Sequence, residues 1–136
     1  MKNFTLHTDG GSRGNPGPAG IGGVISDSNG EFLVEFKKYI GVATNNIAEY
    51  MALIEGLRLA IDNEIKALDC YLDSELIVKQ LNGQYKVKDS NMKLLFAKVT
   101  ELLSNFDSVK FEHVRRENNK EADRLVNEAL DEELEG

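Results

Sequence analysis

Polar and apolar residues alternate over about residues 3–8 (Asn3 to Thr8), which puts Phe4, Leu6 and Thr8 on one face of a strand. A glycine-rich loop follows, Gly10 to Gly20, holding both prolines of the chain. Ile21 to Ser26 and Glu31 to Phe36 are strand-like runs separated by Asp27-Ser28-Asn29-Gly30, a pattern that predicts a hairpin. The periodicity then changes. Ile47, Tyr50, Met51, Ile54, Leu57 and Ile61 recur at helical spacing, with Thr44 or Asn45 as the cap. A short strand from about Ala67 to Leu72 ends at Asp73. Ser74 is placed to cap a short helix through Leu81, which Asn82-Gly83 breaks. A third helix is expected from about Asn91 to Ser104. Alternation returns over Ser108 to Val114, and a last helix spans about Asn119 to Leu130.

The element order is therefore βββαβααβα. Three strands followed by alternation with helices predict an α/β fold, a five-stranded mixed sheet covered by helices. The first three strands should be antiparallel neighbours. The last two should join through helical crossovers and run parallel.

A length of 136 residues fits one domain, expected over residues 1–130 with an acidic tail at 131–136. No apolar run approaches the roughly 20 residues that span a bilayer, so no membrane partner is expected. The N-terminus meets acid and glycine too early for a signal peptide. Cys70 is the single cysteine, which excludes an internal disulfide and fits a reducing, cytoplasmic setting. The net charge of −7 argues against a nucleic-acid partner when taken alone. Much of the acid, however, is concentrated at Asp131 to Glu135, and catalytic carboxylates neutralised by metal would add to the count.

Four acids stand out by position. Asp9 and Asp73 each end a strand, and if those strands pair, both open into one crevice. Glu49 lies early in the first long helix, and Asp123 borders the apolar stripe of the last. Four converging carboxylates would repel one another unless cations sat among them. Magnesium suits such oxygen ligands, and two ions can drive an in-line phosphodiester displacement. No His/Cys spacing indicates zinc. Taken singly, each acid also fits a solvated side chain, and Asp123 could complement the helix dipole.

The strings around these acids carry more. Thr8-Asp9-Gly10-Gly11-Ser12-Arg13-Gly14-Asn15-Pro16-Gly17-Pro18-Ala19-Gly20-Ile21-Gly22 resembles the opening of type 1 ribonuclease H domains. Thr44-Asn45-Asn46-Ile47-Ala48-Glu49-Tyr50 is similar to their second motif. Leu72-Asp73-Ser74 with Val78 is similar to the third, and Arg116 to Asp123 to the fourth. The motifs occur in family order over about residues 3–130. The resemblance implies that Asp9, Glu49, Asp73 and Asp123 are catalytic and bind metal, two Mg²⁺ with Mn²⁺ able to substitute. It implies cleavage of the RNA strand of RNA/DNA hybrids to 3′-hydroxyl and 5′-phosphate ends by a chain expected to be monomeric. It also implies substrate contacts from Gly10, Gly11, Asn15, Asn45 and Asn46. Glycines admit the sugar-phosphate chain, and the 2′-hydroxyl distinguishes RNA from DNA. Thr44 and Asn15 are candidates for gripping a DNA phosphate, and Ser74 for substrate contact.

Two departures from the family pattern matter. Some members carry a basic, Trp-containing insertion after the third motif. This chain has only Gly83 to Asp89 there and no Trp, leaving Tyr85, Lys86 and Lys88 to supply stacking and phosphate contact. In the loop before Asp123, many members carry a histidine. His113 aligns with it but shares the alternation of Val109 and Phe111, which places it at the strand end and towards the core. Arg116, seven residues before Asp123, fits the loop better. It cannot act as a base but can hold a phosphate or stabilise developing charge. His7, opposite Phe4 and Leu6, reads as structural. Two other readings stand beside the nuclease: a binding module that lost activity, and another metal-dependent nuclease on the same fold.

Overall fold

The computed structural model describes residues 2–135. Five strands form one mixed sheet in the order β3-β2-β1-β4-β5: β1 (Phe4–Ser12), β2 (Gly17–Ser26), β3 (Phe32–Ala43), β4 (Ala67–Leu72) and β5 (Ser108–His113). β1 pairs antiparallel with β2, and β2 with β3. β1 pairs parallel with β4, and β4 with β5, as the alternation of helices and strands requires.

The helices are α1 (Asn45–Asp62), α2 (Glu75–Leu81), α3 (Ser90–Leu103) and α4 (Lys120–Glu135). Thr44 caps α1, its Oγ1 accepting from the Ile47 amide at 3.2 Å. Ser74 caps α2 in the same way. α1 brings Tyr50, Leu53 and Leu57 onto Leu6, Leu68 and Leu72 of the sheet, and α3 closes over α1 with Val99. Each such fully buried side chain contributes roughly 1.5–3 kcal/mol. α4 covers the opposite face through Ala122, Leu125, Val126, Ala129 and Leu130. Gly22 permits that approach, since a Cβ there would lie 2.7 Å from Leu125 Cβ.

The structure differs from the sequence pattern at four places. The glycine-rich segment is mostly sheet: β1 continues through Ser12 and β2 begins at Gly17, so only the tip of the hairpin is loop. Glycines hide strand periodicity because they carry no side chain to alternate. β3 runs on from Phe36 to Ala43, where Lys37-Lys38 interrupts the apolar signal on an edge strand. A single 3-10 turn, Arg116–Asn118, precedes α4. The acidic stretch 131–135 is the end of α4, with Asp131 paired to Arg13 and Glu132 to Lys37. The stretch is therefore held in regular structure; Gly136 lies outside the described residues.

Candidate active site

Asp9 lies within β1, one residue past the point where pairing with β4 ends at Thr8 and Leu72. The sheet opens there, and Asp73 follows directly on β4. α1 delivers Glu49 to the same gap. Its second turn passes so close to β1 that a Cβ on Gly10 would fall 2.2 Å from the Ala48 carbonyl oxygen. The Gly10 amide donates to Glu49 Oε1 at 3.1 Å. Carboxylate oxygens of Asp9, Glu49 and Asp73 all lie within 4.8 Å of one another. Asp123, in the first turn of α4, lines the same cleft of about 530 Å³, near enough to Asp9 to act on its charge.

Asp9 and Glu49 are 4% and 6% exposed, too buried to ionise freely. Burial pushes Asp9 up to about 7, and the negative charges of Asp73 and Asp123 push the same way against the pull of a proton shared with Glu49. Burial and the neighbouring Asp9 hold Glu49 well above the ordinary carboxylate range. Glu49 Oε2 is buried and receives no donor. An unsatisfied carboxylate oxygen among acids is the donor set of a hard divalent cation, so the residues fit such an ion.

Around the acids, the cleft is lined by Gly11, Asn45, Asn46, Ser74 and Arg116. Asn45 joins the β1–β2 hairpin to α1: its Oδ1 accepts from the Ser12 amide at 2.8 Å, and its own amide donates to Asn15 Oδ1 at 3.1 Å. Asn15, Thr44 and Asn46 line an adjoining pocket of about 280 Å³. A separate cavity of about 370 Å³ beside His7, Val24 and Phe32 contains none of the four acids.

A family profile described as reverse transcriptase-like matches residues 7–129. Ribonuclease H of Clostridium botulinum is 35% identical over 150 residues, covering 97% of this chain and 98% of that one. The chain belongs to the ribonuclease H type 1 family. Ribonuclease HI of Halobacterium salinarum is 44% identical over 123 residues, 90% of this chain and 62% of that protein. The bifunctional protein Rv2228c of Mycobacterium tuberculosis is longer: the chain spans 35% of it, at 43% identity over 127 residues. Among solved structures, LC11-RNase H1 in complex with an RNA/DNA hybrid superposes with a TM-score of 0.91 at 46% identity, covering 96% of this chain and 99% of that one.

Within this ribonuclease H fold, the two basic candidates separate. Arg116, on the 3-10 turn, lines the cleft. His113 ends β5 with an exposed side chain, outside the cleft lining and outside the core, where its alternation with Phe111 had placed it. The strand ends there, so the alternation no longer dictates burial. Tyr85 and Lys86 stand apart from the acids, beside Leu76, Gln84 and Lys88. Lys79 lies over the Tyr85 ring, 5.1 Å from its centre. His7 stacks on Tyr71 at 4.9 Å, and burial lowers its pKa, in keeping with a structural part.

Sequence reasoning missed Asn119. It is 1% exposed and donates from Nδ2 to the Thr8 carbonyl at 2.9 Å and to Asp73 Oδ2 at 3.1 Å. Its one signal was a polar residue just before the last helix, which also describes an ordinary cap.

Proposed function

We propose that this chain is a metal-dependent endoribonuclease that cuts the RNA strand of RNA/DNA hybrids, leaving 3′-hydroxyl and 5′-phosphate ends. The observation that carries the reading is the cluster of Asp9, Glu49 and Asp73 beneath a cleft rimmed by Gly11, Asn45 and Asn46. Asp9, Glu49, Asp73 and Asp123 would hold two Mg²⁺ ions, with Mn²⁺ as substitute. When bound, such ions supply an activated water and stabilise the leaving oxygen of an in-line displacement.

The chain's own residues select and position the substrate. Asn45 Oδ1 is already used by Ser12, which leaves its Nδ2 to donate to a 2′-hydroxyl. Asn15 Oδ1 is used by the Asn45 amide, and Thr44 Oγ1 accepts from Ile47. Both keep a donor for a DNA phosphate in the adjoining pocket, together with Asn46. Gly11 has no side chain to block the strand, and a Cβ there would meet only Asn45 Oδ1 at 3.8 Å. Gly10 spends its amide on Glu49 and packs against the Ala48 backbone, so its contact with substrate would be through the backbone atoms that line the cleft. Ser74 caps α2 at the cleft wall, next to Asp73. Arg116 holds the phosphate beside the acids and offsets charge gathering there. Tyr85 and Lys86 grip the flanking duplex by stacking and charge in place of a basic insertion.

LC11-RNase H1, 46% identical, is a structure bound to an RNA/DNA hybrid, which supports the substrate chosen here. None of the four acids of the family motifs is replaced in the sequence, which favours an enzyme over a binding module of the same fold. We assign the reaction to a monomer in the cytoplasm, where Cys70 stays reduced.

The test is cleavage of labelled RNA/DNA hybrid, single-stranded RNA, duplex RNA and duplex DNA with Mg²⁺, Mn²⁺ or EDTA. The expected result is metal-dependent cutting of the hybrid's RNA alone, lost in Asp73→Asn. Cleavage that persists in EDTA overturns the metal mechanism. Equal cleavage of single-stranded RNA overturns the hybrid substrate.

A further inference from the structure

Eight residues beyond Asp123 on α4, Asp131 reaches across the mouth of the cleft to Arg13, with Nη2 and Oδ1 2.6 Å apart. Arg13 follows Ser12 at the tip of the β1–β2 hairpin and lines the cleft. Its backbone amide donates to the Pro18 carbonyl at 2.8 Å, which fixes the root of the side chain. The two side chains are 40% and 50% exposed.

Asp123, Asn127 and Asp131 follow one another at four-residue steps, so they share one face of α4. Asp123 and Asn127 line the cleft. Asp131 therefore stands about 12 Å further along the helix axis than the acid at the reaction centre. That distance is about three to four phosphate spacings of a strand running parallel to the helix. Arg13 is thus set to meet a backbone phosphate flanking the one that reacts.

An exposed ion pair is weakly held, whereas a phosphate offers a guanidinium two acceptor oxygens in the geometry it prefers. The acids that bind metal draw no phosphate by themselves, so each cleft cation counts.

We propose that Arg13 is a phosphate-gripping residue of the substrate cleft and that Asp131 is its built-in competitor. The carboxylate holds the guanidinium while the cleft is empty, yields it to the backbone of an incoming hybrid, and recaptures it as product leaves. The inference rests on the hybrid-cleaving reading of the same cleft.

Steady-state cleavage of a hybrid over a range of salt tests it. Arg13→Ala should raise KM about tenfold with little change in kcat, as expected for loss of one charged hydrogen-bonding contact. It should also make the salt dependence shallower by about one phosphate contact. Asp131→Asn should lower KM about threefold, and should do nothing further in an Arg13→Ala background. Glu133→Gln makes the same change in charge at the same helix end and should leave KM unchanged. If Glu133→Gln lowers KM as much as Asp131→Asn, bulk charge is the cause and the inference falls. Wild-type cleavage with an Arg13→Ala KM and salt slope like wild type overturns this inference alone. A wild-type chain that neither binds nor cuts hybrid overturns the functional reading and this inference with it.

Discussion

The side-chain amide of Asn119 donates to Asp73 Oδ2 across 3.1 Å, and the same nitrogen donates to the Thr8 carbonyl one residue before Asp9. One buried amide thereby sets the orientation of a site carboxylate and ties the start of α4 to the strand bearing another. Asn119→Ala would leave the Thr8 carbonyl short of a buried donor, at a cost of about 1–3 kcal/mol of stability. It would also free Asp73 to rotate, and loss of such a supporting contact weakens metal affinity by about 10- to 100-fold. Thermal unfolding and Mg²⁺ titration of the variant check the two effects separately. Wild-type metal affinity in a folded Asn119→Ala would show that Asp73 is held by other contacts.

The buried Asp9 carboxyl makes metal-free stability depend on pH. An unfolded Asp titrates near 3.8, while burial raises Asp9 to about 7 in the folded chain. Between those values the folded state keeps a proton that the unfolded state releases. The stability this confers is complete below the lower value and is lost as pH rises through the upper one. Glu49, raised by burial, acts in the same direction. His7, lowered by burial, opposes both over the acid part of the range. In EDTA the melting temperature should fall by several degrees between pH 5 and pH 8, and Asp9→Asn should flatten that fall. Mg²⁺ favours the ionised acids and should raise the melting temperature more at pH 8 than at pH 5.5. A larger Mg²⁺ effect at the lower pH would contradict this account.

Adjacent glycines should respond differently to alanine. At Gly10 a Cβ would strike the Ala48 backbone at 2.2 Å, so Gly10→Ala must push α1 away from β1 and carry Glu49 with it. That substitution should cost several kcal/mol, in the range of severe overpacking, and abolish cleavage. Gly11 has room, so Gly11→Ala should melt near wild type but raise KM for the hybrid, because its methyl enters the cleft. Denaturation and steady-state kinetics of the pair decide the matter.

Arg116 and His113 separate in the same kind of experiment. Arg116→Ala removes a cation lining the cleft and should lower kcat/KM by about 10- to 100-fold, the range for a charged hydrogen bond to substrate. His113→Ala, outside the cleft lining, should stay within about twofold of wild type at neutral pH. A large loss in His113→Ala with none in Arg116→Ala would reverse the assignment.

Period and punctuation determined the larger part of this fold. The element order, the hairpin-then-crossover topology, the bounds of β4 and α2 and the caps Thr44 and Ser74 follow from rules linking neighbouring residues. The positions of Asp73 at the end of β4 and Asp123 at the start of α4 were legible as well, because these are local features, whereas Asp9 lies within β1, at the point where its pairing with β4 stops. Residues whose roles depend on distant chain segments were not legible. The strand character of Gly10–Ser12 comes from pairing with β2, and the reason for Gly10 is the Ala48 carbonyl on α1. Asn119 reads as a cap until Thr8 and Asp73 are folded beside it, 111 and 46 positions away. The acidic end of α4 reads as solvated charge until Arg13 and Lys37 come opposite. Local propensity and periodicity carry information about residues within a turn or two of one another. Burial, hydrogen-bond partners and pKa shifts come from groups that only the assembled sheet and its two helical layers bring into contact.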